Sequence, residues 1–413
     1  MGRIKINTIS LGLLLMSVYV FMCYNALNIV IPQRITSLVL YLFLAYGVFA
    51  FIINAKINPP KMTAYTAWYL VFMCVSLVTM LYAPDFDILS GEFYLMIVSF
   101  ALTFLFQFFV HSERSFELMC WLYSISAAIL VLTLMLTGNM VADANNRLGG
   151  DIMGNANTFA SMIMVAVMYG IWLLLYQKTK PIFKLLLLGM IILDYYALIL
   201  SAGRKFFVLP FVFLYILLLF KVDKKGRKHI IRYTLLIVAL VAFVAWLIMA
   251  VPTFYRTIGY RIESYIYGVT GVEEQGASAA IREEMQRIAL VKWTEKPILG
   301  YGFDSFKYYN LSATGHFFYS HCNFTEMLYN GGIVYFLIYY IVYWFILRRA
   351  LVLKRGMYKH RAFAVGVALS FLIFDYGCVS YSMSVIQIML AMALHLLGIN
   401  ETQDNLAEGI KEI

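Results

Sequence analysis

The chain is short of charge. Only 13% of its 413 residues are Asp, Glu, Lys or Arg, where a soluble domain carries about 25%. With 62% apolar residues, that deficit excludes a water-facing globular surface, and the core is expected to face lipid. Cysteine is scarce too. Cys23, Cys74, Cys120, Cys322 and Cys378 form no C-x-x-C pair, so neither a zinc site nor a redox pair is signalled. They read as small apolar residues. The N-terminus lacks the short apolar core and small-residue cleavage site of a signal peptide. Behind Arg3 and Lys5 the apolar run continues to about Val30, long enough to span a bilayer uncleaved. There is no repeat of fixed period and no matched pair of broken helices in two halves, the mark of inverted-repeat transporters. The formal charge is +10, but the cations fall in short runs between apolar stretches. The expected partner is the bilayer rather than nucleic acid.

What is present is a series of apolar runs. Lipid offers the backbone no hydrogen bonds, so each is expected to be helical. Twelve spans are expected, at 8–30, 36–54, 63–82, 93–111, 115–137, 153–176, 184–201, 206–220, 231–251, 322–347, 362–381 and 384–399. The fold class is therefore an all-α polytopic membrane protein. The polar break Ser201-Ala202-Gly203-Arg204-Lys205 reads as a tight turn between two spans or a break inside one. With the N-terminus in the cytoplasm, 21 of the 32 Lys and Arg residues fall on the inner side, and 7 of the others lie in one segment, 252–320. That bias satisfies the positive-inside rule with both termini cytoplasmic. The organisation is nine spans over 1–251, an extracytoplasmic loop over 252–320, three spans over 321–399 and a cytoplasmic tail over 400–413.

The loop 252–320 is the one sizeable polar segment, and loops this long are usually functional. Ile281, Met285, Ile288 and Trp293 tend to one helical face, opposite Glu283, Glu284, Arg287 and Lys292. This pattern suggests a helix lying on the outer leaflet. Pro297 then limits the helix, and Gly300 and Gly302 permit a turn. Gly300-Tyr301-Gly302 lacks the third glycine and the βαβ setting of a nucleotide site, so it is read as a turn only.

Several residues could carry chemistry. Arg204 sits at an outward end of a span, where positive charge is not favoured, and boundary charges are functional candidates. It could also simply snorkel. Arg282 and Arg287 could meet lipid headgroups, or grip phosphate through the guanidinium fork. His321 stands where the long loop re-enters the membrane, close to Asn323 and Glu326, and an imidazole there can hold a proton reversibly. His316 is its neighbour and competitor. Asp194 and Asp375 lie within apolar spans, as buried structural carboxyls or as part of a substrate path.

Four motifs in order resemble the O-antigen ligase and Wzy-type polysaccharide polymerase superfamily. Gly154-Asn155-Ala156-Asn157 resembles its G-N-x-N signature, and Ser201-Ala202-Gly203-Arg204 its arginine at a span end. Arg282, followed fifteen residues on by Pro297-Ile-Leu-Gly300-Tyr-Gly302, is similar to its loop pattern. His321-Cys322-Asn323-Phe-Thr-Glu326, followed by Asn330-Gly331-Gly332, is similar to its H-x-N-x-x-E run. Many ligases have His and Asn adjacent. The intervening Cys322 looks more like capsule-type polymerases.

The resemblance implies a glycosyltransferase type C-like membrane fold and a bacterial cytoplasmic-membrane location. It implies a polyprenyl-pyrophosphate-linked oligosaccharide as donor and a second lipid-linked repeat unit as acceptor. His321 would be the catalytic base. Arg204, Arg282, Arg287 and Lys205 would bind pyrophosphate, and Asn323, Glu326 and Asn157 would orient the base or bind the acceptor. The long loop carries no Asp-x-Asp motif and no soluble nucleotide-sugar domain is visible, so neither metal nor cofactor is expected. A chain-length regulator protein is a further partner to consider. The alternatives are a ligase with a different acceptor, a lipid-linked oligosaccharide flippase, and, with a poorer motif match, a peptidoglycan-type polymerase.

Overall fold

The computed structural model describes residues 8–25, 33–55, 62–84, 91–140, 142, 147–221, 226–270, 277–352 and 358–409. Among them there are helices and no strands. In chain order the helices are α1 (Thr8–Asn25), α2 (Gln33–Ala55), α3 (Ala64–Met80), α4 (Glu92–Phe109), α5 (Glu113–Leu136), the one-turn α6 (Gly150–Met153), α7 (Ala156–Tyr176), α8 (Pro181–Leu200), α9 (Arg204–Phe220) and α10 (Arg227–Ala250). Then come the short α11 (Pro252–Phe254), a π-helical turn at Tyr255–Gly259, α12 (Tyr260–Thr270), α13 (Ala277–Trp293), α14 (Phe306–Thr314), α15 (Asn323–Val352), α16 (Tyr358–Asp375) and α17 (Ser384–Gly409).

Eight of these, α1, α2, α4, α5, α7, α8, α10 and α15, are long and apolar enough to cross a membrane, and α3 and the first part of α17 are shorter apolar helices. The chain is thus a multi-pass membrane protein. Each of the twelve intervals expected to span falls on one helix, with α9 and α16 supplying the other two. Residues 26–30 of the first interval lie outside the described residues.

The helix ends follow local chemistry. Ser112 and Ser115 close a reciprocal capping box on α5, and the Thr63 hydroxyl accepts from the Thr66 amide at the start of α3, each satisfying amides with no partner inside the helix. Pro181 opens α8, where its missing N–H costs nothing. The break at Ser201–Gly203 separates α8 from α9 as two helices. Ala202 turns the chain with φ +54°.

Lipid and protein divide the helices unequally. In α7, 78% of the apolar window is buried, and in α10 only 11%. Hence α7 is the central post and α10 a peripheral, lipid-facing helix. Around α7, Phe116 of α5, Trp172 of α7 and Phe363 of α16 meet edge to face, with Phe116 4.9 Å from Trp172 and 5.2 Å from Phe363 between ring centres. Between helices in lipid, such packing replaces the missing hydrophobic drive.

One irregularity organises the outer side. α15 is interrupted at Gly331 and Gly332, whose backbones are not helical. The segment Pro297–Gly302 fills the gap. Amides of Tyr301 and Gly302 donate to the carbonyls of Tyr329 and Asn330 at 2.9 and 2.7 Å, and the amide of Ile333 donates to the Pro297 carbonyl at 2.9 Å. A broken helix inside a membrane protein is tolerated when its freed groups are re-satisfied. The loop glycines and the helix glycines do that for each other. A Cβ on Gly332 would lie 2.3 Å from the Ile298 backbone, and one on Gly300 2.5 Å from the Tyr329 carbonyl oxygen.

The expected surface helix exists as α13, but it docks on protein rather than lying free on the leaflet. Met285 and Ala289 are buried in a small cluster with Phe306 and Tyr329 of the α14 and α15 region. Ile281, by contrast, is exposed.

Candidate functional site

Three structural devices bring separate parts of the chain to one end of the bundle. The α8–α9 turn presents Arg204 and Lys205. The docked α13 presents Arg282. The strand of chain between α14 and α15 presents His321. Three non-glycine residues adopt positive φ among the described residues: Ala202 in the α8–α9 turn, His321 before α15 at φ +59°, and Asp304 before α14. Such conformations cost energy and persist where surroundings over-determine them, commonly at functional sites.

Arg282 is the electrostatic hub. Its charge acts on Arg147, Arg204, Lys205 and His321. Arg261 adds to the same field at Arg147 and Arg204. None of the ion pairs among the described residues involves Arg147, Arg204, Lys205 or Arg282. Like charges gathered without counter-ions are costly in a partly desolvated place, and the arrangement favours an incoming anion of high charge.

Three of the four cations are nevertheless held by neighbouring groups. Arg204 donates to the Arg261 carbonyl at 3.4 Å and lies 4.5 Å over the Tyr265 ring, a cation–π contact. The Lys205 ammonium donates to the Gly377 carbonyl. Arg147 donates through Nε to the Ser201 carbonyl at 2.8 Å and through Nη2 to Asn157 Oδ1 at 2.9 Å. It therefore ties the Ser201–Arg204 turn to the Gly154–Asn157 segment. Burial, followed by the Arg261 and Arg282 charges, lowers the Arg147 guanidinium to about 10.

His321 is partly buried, its ring 4.5 Å from the Tyr319 ring. Its imidazole makes no hydrogen bond among the described residues. Burial first, then the charges of Arg282 and Lys205, push its pKa down to about 3. At pH 7 the imidazole is therefore neutral and able to accept a proton.

Asn323 and Glu326 do not touch that ring. The Glu326 carboxylate accepts from the Ser320 amide at 2.8 Å and from the Asn330 side chain at 3.3 Å. The Asn323 side chain donates to Tyr340 at 2.9 Å and accepts from the Ser380 amide at 3.2 Å. Both hold the backbone either side of His321. Arg287 is outside the cluster, since it pairs with Glu284 at 2.6 Å on the exposed face of α13. His316 is exposed on the loop. Asp375 is buried and accepts from Ser380, Tyr340 and Tyr343, and Asp194 is buried in α8.

Against this cluster lies a cavity of about 830 Å³. Asn157, Tyr319 and Cys378 line it. Asn157 is held by Arg147, Tyr319 contacts His321, and Cys378 follows the glycine that accepts from Lys205. The cavity and the cations thus share a wall. The sequence reading did not single out Arg147, Arg261 or, of the cavity's carboxyl groups, Glu92, Asp151 and Asp304.

Comparison with known proteins points the same way. A family model described as O-antigen ligase matches residues 190–340, consistent with the O-antigen ligase and Wzy-type superfamily. The match runs from within α8 to within α15, and so takes in Arg204, Lys205, Arg282 and His321. No curated protein matches the chain.

Proposed function

We propose that this chain is a polysaccharide polymerase of the bacterial cytoplasmic membrane. It works on the outer face, joining the growing glycan on one polyprenyl pyrophosphate to a hydroxyl of a second lipid-linked repeat unit. The match to the O-antigen ligase family supports a membrane enzyme of the glycan ligase or polymerase type, acting on lipid-linked polysaccharide. The finer reading rests above all on one observation: the field of Arg282 falls on Arg147, Arg204, Lys205 and His321 together.

The chemistry balances in one step. The acceptor oxygen bonds to the anomeric carbon, and the bond from that carbon to the phosphate oxygen breaks. The electron pair leaves on the pyrophosphate, and the acceptor's proton goes to His321. Negative charge grows on the leaving group as the bond breaks, so fixed guanidinium groups stabilise the transition state more than the ground state. In this role Arg204 and Arg282 are the principal contacts, with Lys205 and Arg147 beside them. Arg287, paired with Glu284, is left to surface electrostatics. No metal is called for when four cations already meet the leaving group.

The depressed basicity of His321 fits a site awaiting its anion. A bound pyrophosphate offsets the charges of Arg282 and Lys205, which raises the imidazole pKa when the substrate is in place. The base is then stronger in the complex than in the free protein, as general-base catalysis near neutrality requires. Asn323, Glu326 and Asn157 act as positioning residues, the first two through the backbone that carries His321. Inversion at the anomeric carbon follows from a single displacement.

A ligase is the second reading, favoured by the matching family's own description as O-antigen ligase. Its chemistry is the same and its acceptor differs. Purified protein supplied with its lipid-linked repeat unit alone decides between them. Chains of many units are expected; single units only, elongating no further, would overturn the polymerase reading.

A further inference from the structure

The cavity beside the cationic cluster has the opposite character. Glu92, Asp151, Asp304 and Glu326 line it, with Lys307 as its cation. Lys307 is taken up by Asp304 at 2.5 Å, and Glu326 by the backbone of its own loop. Glu92 and Asp151 have no ion-pair partner among the described residues. Both stand in the first turn of a helix, where an acid also suits the helix dipole, so the carboxyls alone would not mark a site.

The phenols do. Tyr123 and Tyr381 line the same cavity and are only 4% and 1% exposed, yet neither hydroxyl has a hydrogen-bond partner among the described residues. Buried phenol hydroxyls normally find one. The Tyr381 phenol lies in the combined field of Asp304, Glu92 and Glu326, so its polar end faces the carboxyl lining. Aromatic walls, with hydroxyls and the Glu92 and Asp151 carboxyls not hydrogen-bonded among the described residues, match a sugar ring, which offers apolar faces and an edge of hydroxyl donors.

We propose that this cavity is the saccharide subsite for the acceptor repeat unit, and that its carboxyl lining admits amino and neutral sugars while excluding uronic acids. The proposal rests on the polymerase or ligase reading for the word acceptor. Sugar selection by the cavity stands apart from it. Tyr319 lines the subsite and its ring lies 4.5 Å from that of His321, so the subsite stands one side chain away from the imidazole. An anionic sugar would meet the half-buried Glu92 and the exposed Asp151, and like charges repel.

Saturation-transfer NMR on the full-length protein in lipid nanodiscs tests this with glucosamine, N-acetylglucosamine and glucuronate as probes. Glucosamine is expected to bind best, and glucuronate at least about tenfold more weakly, roughly 1.4 kcal/mol. Equal binding of glucuronate, or no binding of any probe, overturns the proposal. The Glu92→Gln, Asp151→Asn double variant should bring glucuronate to within about threefold of N-acetylglucosamine, and an unchanged ratio would remove the carboxyls as its cause. Tyr381→Phe should weaken all three probes together. His321→Ala separates the two readings. It should leave the sugar preference intact while chain formation is lost. Chains made by that variant would sink the catalytic role of His321 and leave the subsite standing, whereas lost selectivity in the wild type would do the reverse.

Discussion

Two neighbouring compartments at one end of the bundle differ in nearly every respect. One is a cluster of cations, Arg147, Arg204, Lys205 and Arg282, drawn from segments far apart in the chain and with no ion-pair partner among the described residues. The other is a cavity of about 830 Å³ lined by carboxyls and phenols. The first suits a diphosphate and the second a sugar. Their shared wall carries Asn157, and Tyr319 with His321 behind it. A transferase that moves a glycan off a pyrophosphate needs such a division. A single pocket of one sign could not attract the leaving group and still hold an uncharged acceptor without binding the wrong end of the same substrate.

The sharpest way to break the comparison is at the wall. His321→Ala removes the proposed base, and a loss of about 10²–10⁴ in polymerisation rate is expected, with lipid-linked repeat units accumulating unpolymerised. Unchanged chain lengths would show that the two compartments do not meet at this imidazole.

Arg282→Ala comes next. Removing one donor aimed at developing charge costs about 10²–10³ in kcat. The pH profile gives a second reading. In the wild type His321 titrates at about 3, so its competent neutral form prevails above that value and kcat/KM should show no acid limb near pH 6. Without the Arg282 charge the imidazole pKa rises, but burial, the larger cause, remains, so an acid limb should move up only part of the way towards pH 6. Arg282→Lys keeps the charge but loses the fork. It should retain the low pKa while still losing rate. A profile that ignores both substitutions would detach Arg282 from the base.

The contrast also explains what the sequence could and could not disclose. Arg204 and His321 were legible because each is anomalous where it stands, positive charge at an outward boundary and an imidazole at a membrane mouth, and Arg282 because it stands fifteen residues before the Pro297–Gly302 motif. The pairing of Pro297–Gly302 with Asn330–Gly332 was visible as two motifs, but not as one object, since only the fold shows loop amides meeting the carbonyls freed by a broken helix. Arg147 looked like any loop cation. Glu92 and Asp151 looked like ordinary helix-start acids. The cavity they line draws on α1, α4, α5, α6, α7, α15, α17 and the α16–α17 turn, and no local pattern encodes such a meeting. The pattern of α13 was legible as amphipathic, but its periodicity does not say whether lipid or α15 covers the apolar face.

Gly332→Ala tests whether the paired glycines serve structure alone. Gly332 has φ +65° and ψ −164°, a region open essentially to glycine, and strain there costs about 1–3 kcal/mol. The added Cβ would also strike the Ile298 backbone. A lower unfolding temperature is expected, with Arg282 and His321 both displaced because the loop between them is pinned here. A stable but inactive variant would instead give this break a direct part in the chemistry.

The smallest expected effect falls on Asn157, and it is the most informative about the boundary. Its Oδ1 accepts from Arg147 at 2.9 Å while its side chain also lines the carboxyl-rich cavity. Losing a hydrogen bond to a charged group costs about 1.5–3 kcal/mol when the site is dry. Arg147 keeps its bond to the Ser201 carbonyl, so Asn157→Ala should come in at or below the low end, a change of about tenfold or less. If Asn157 belongs to both compartments, KM should rise by similar factors for donor and acceptor, with kcat little changed. A rise for the donor alone would assign it to the arginines, and a rise for the acceptor alone to the sugar. Either result would move the wall to the other side of this residue, and with it the line along which the bond must break.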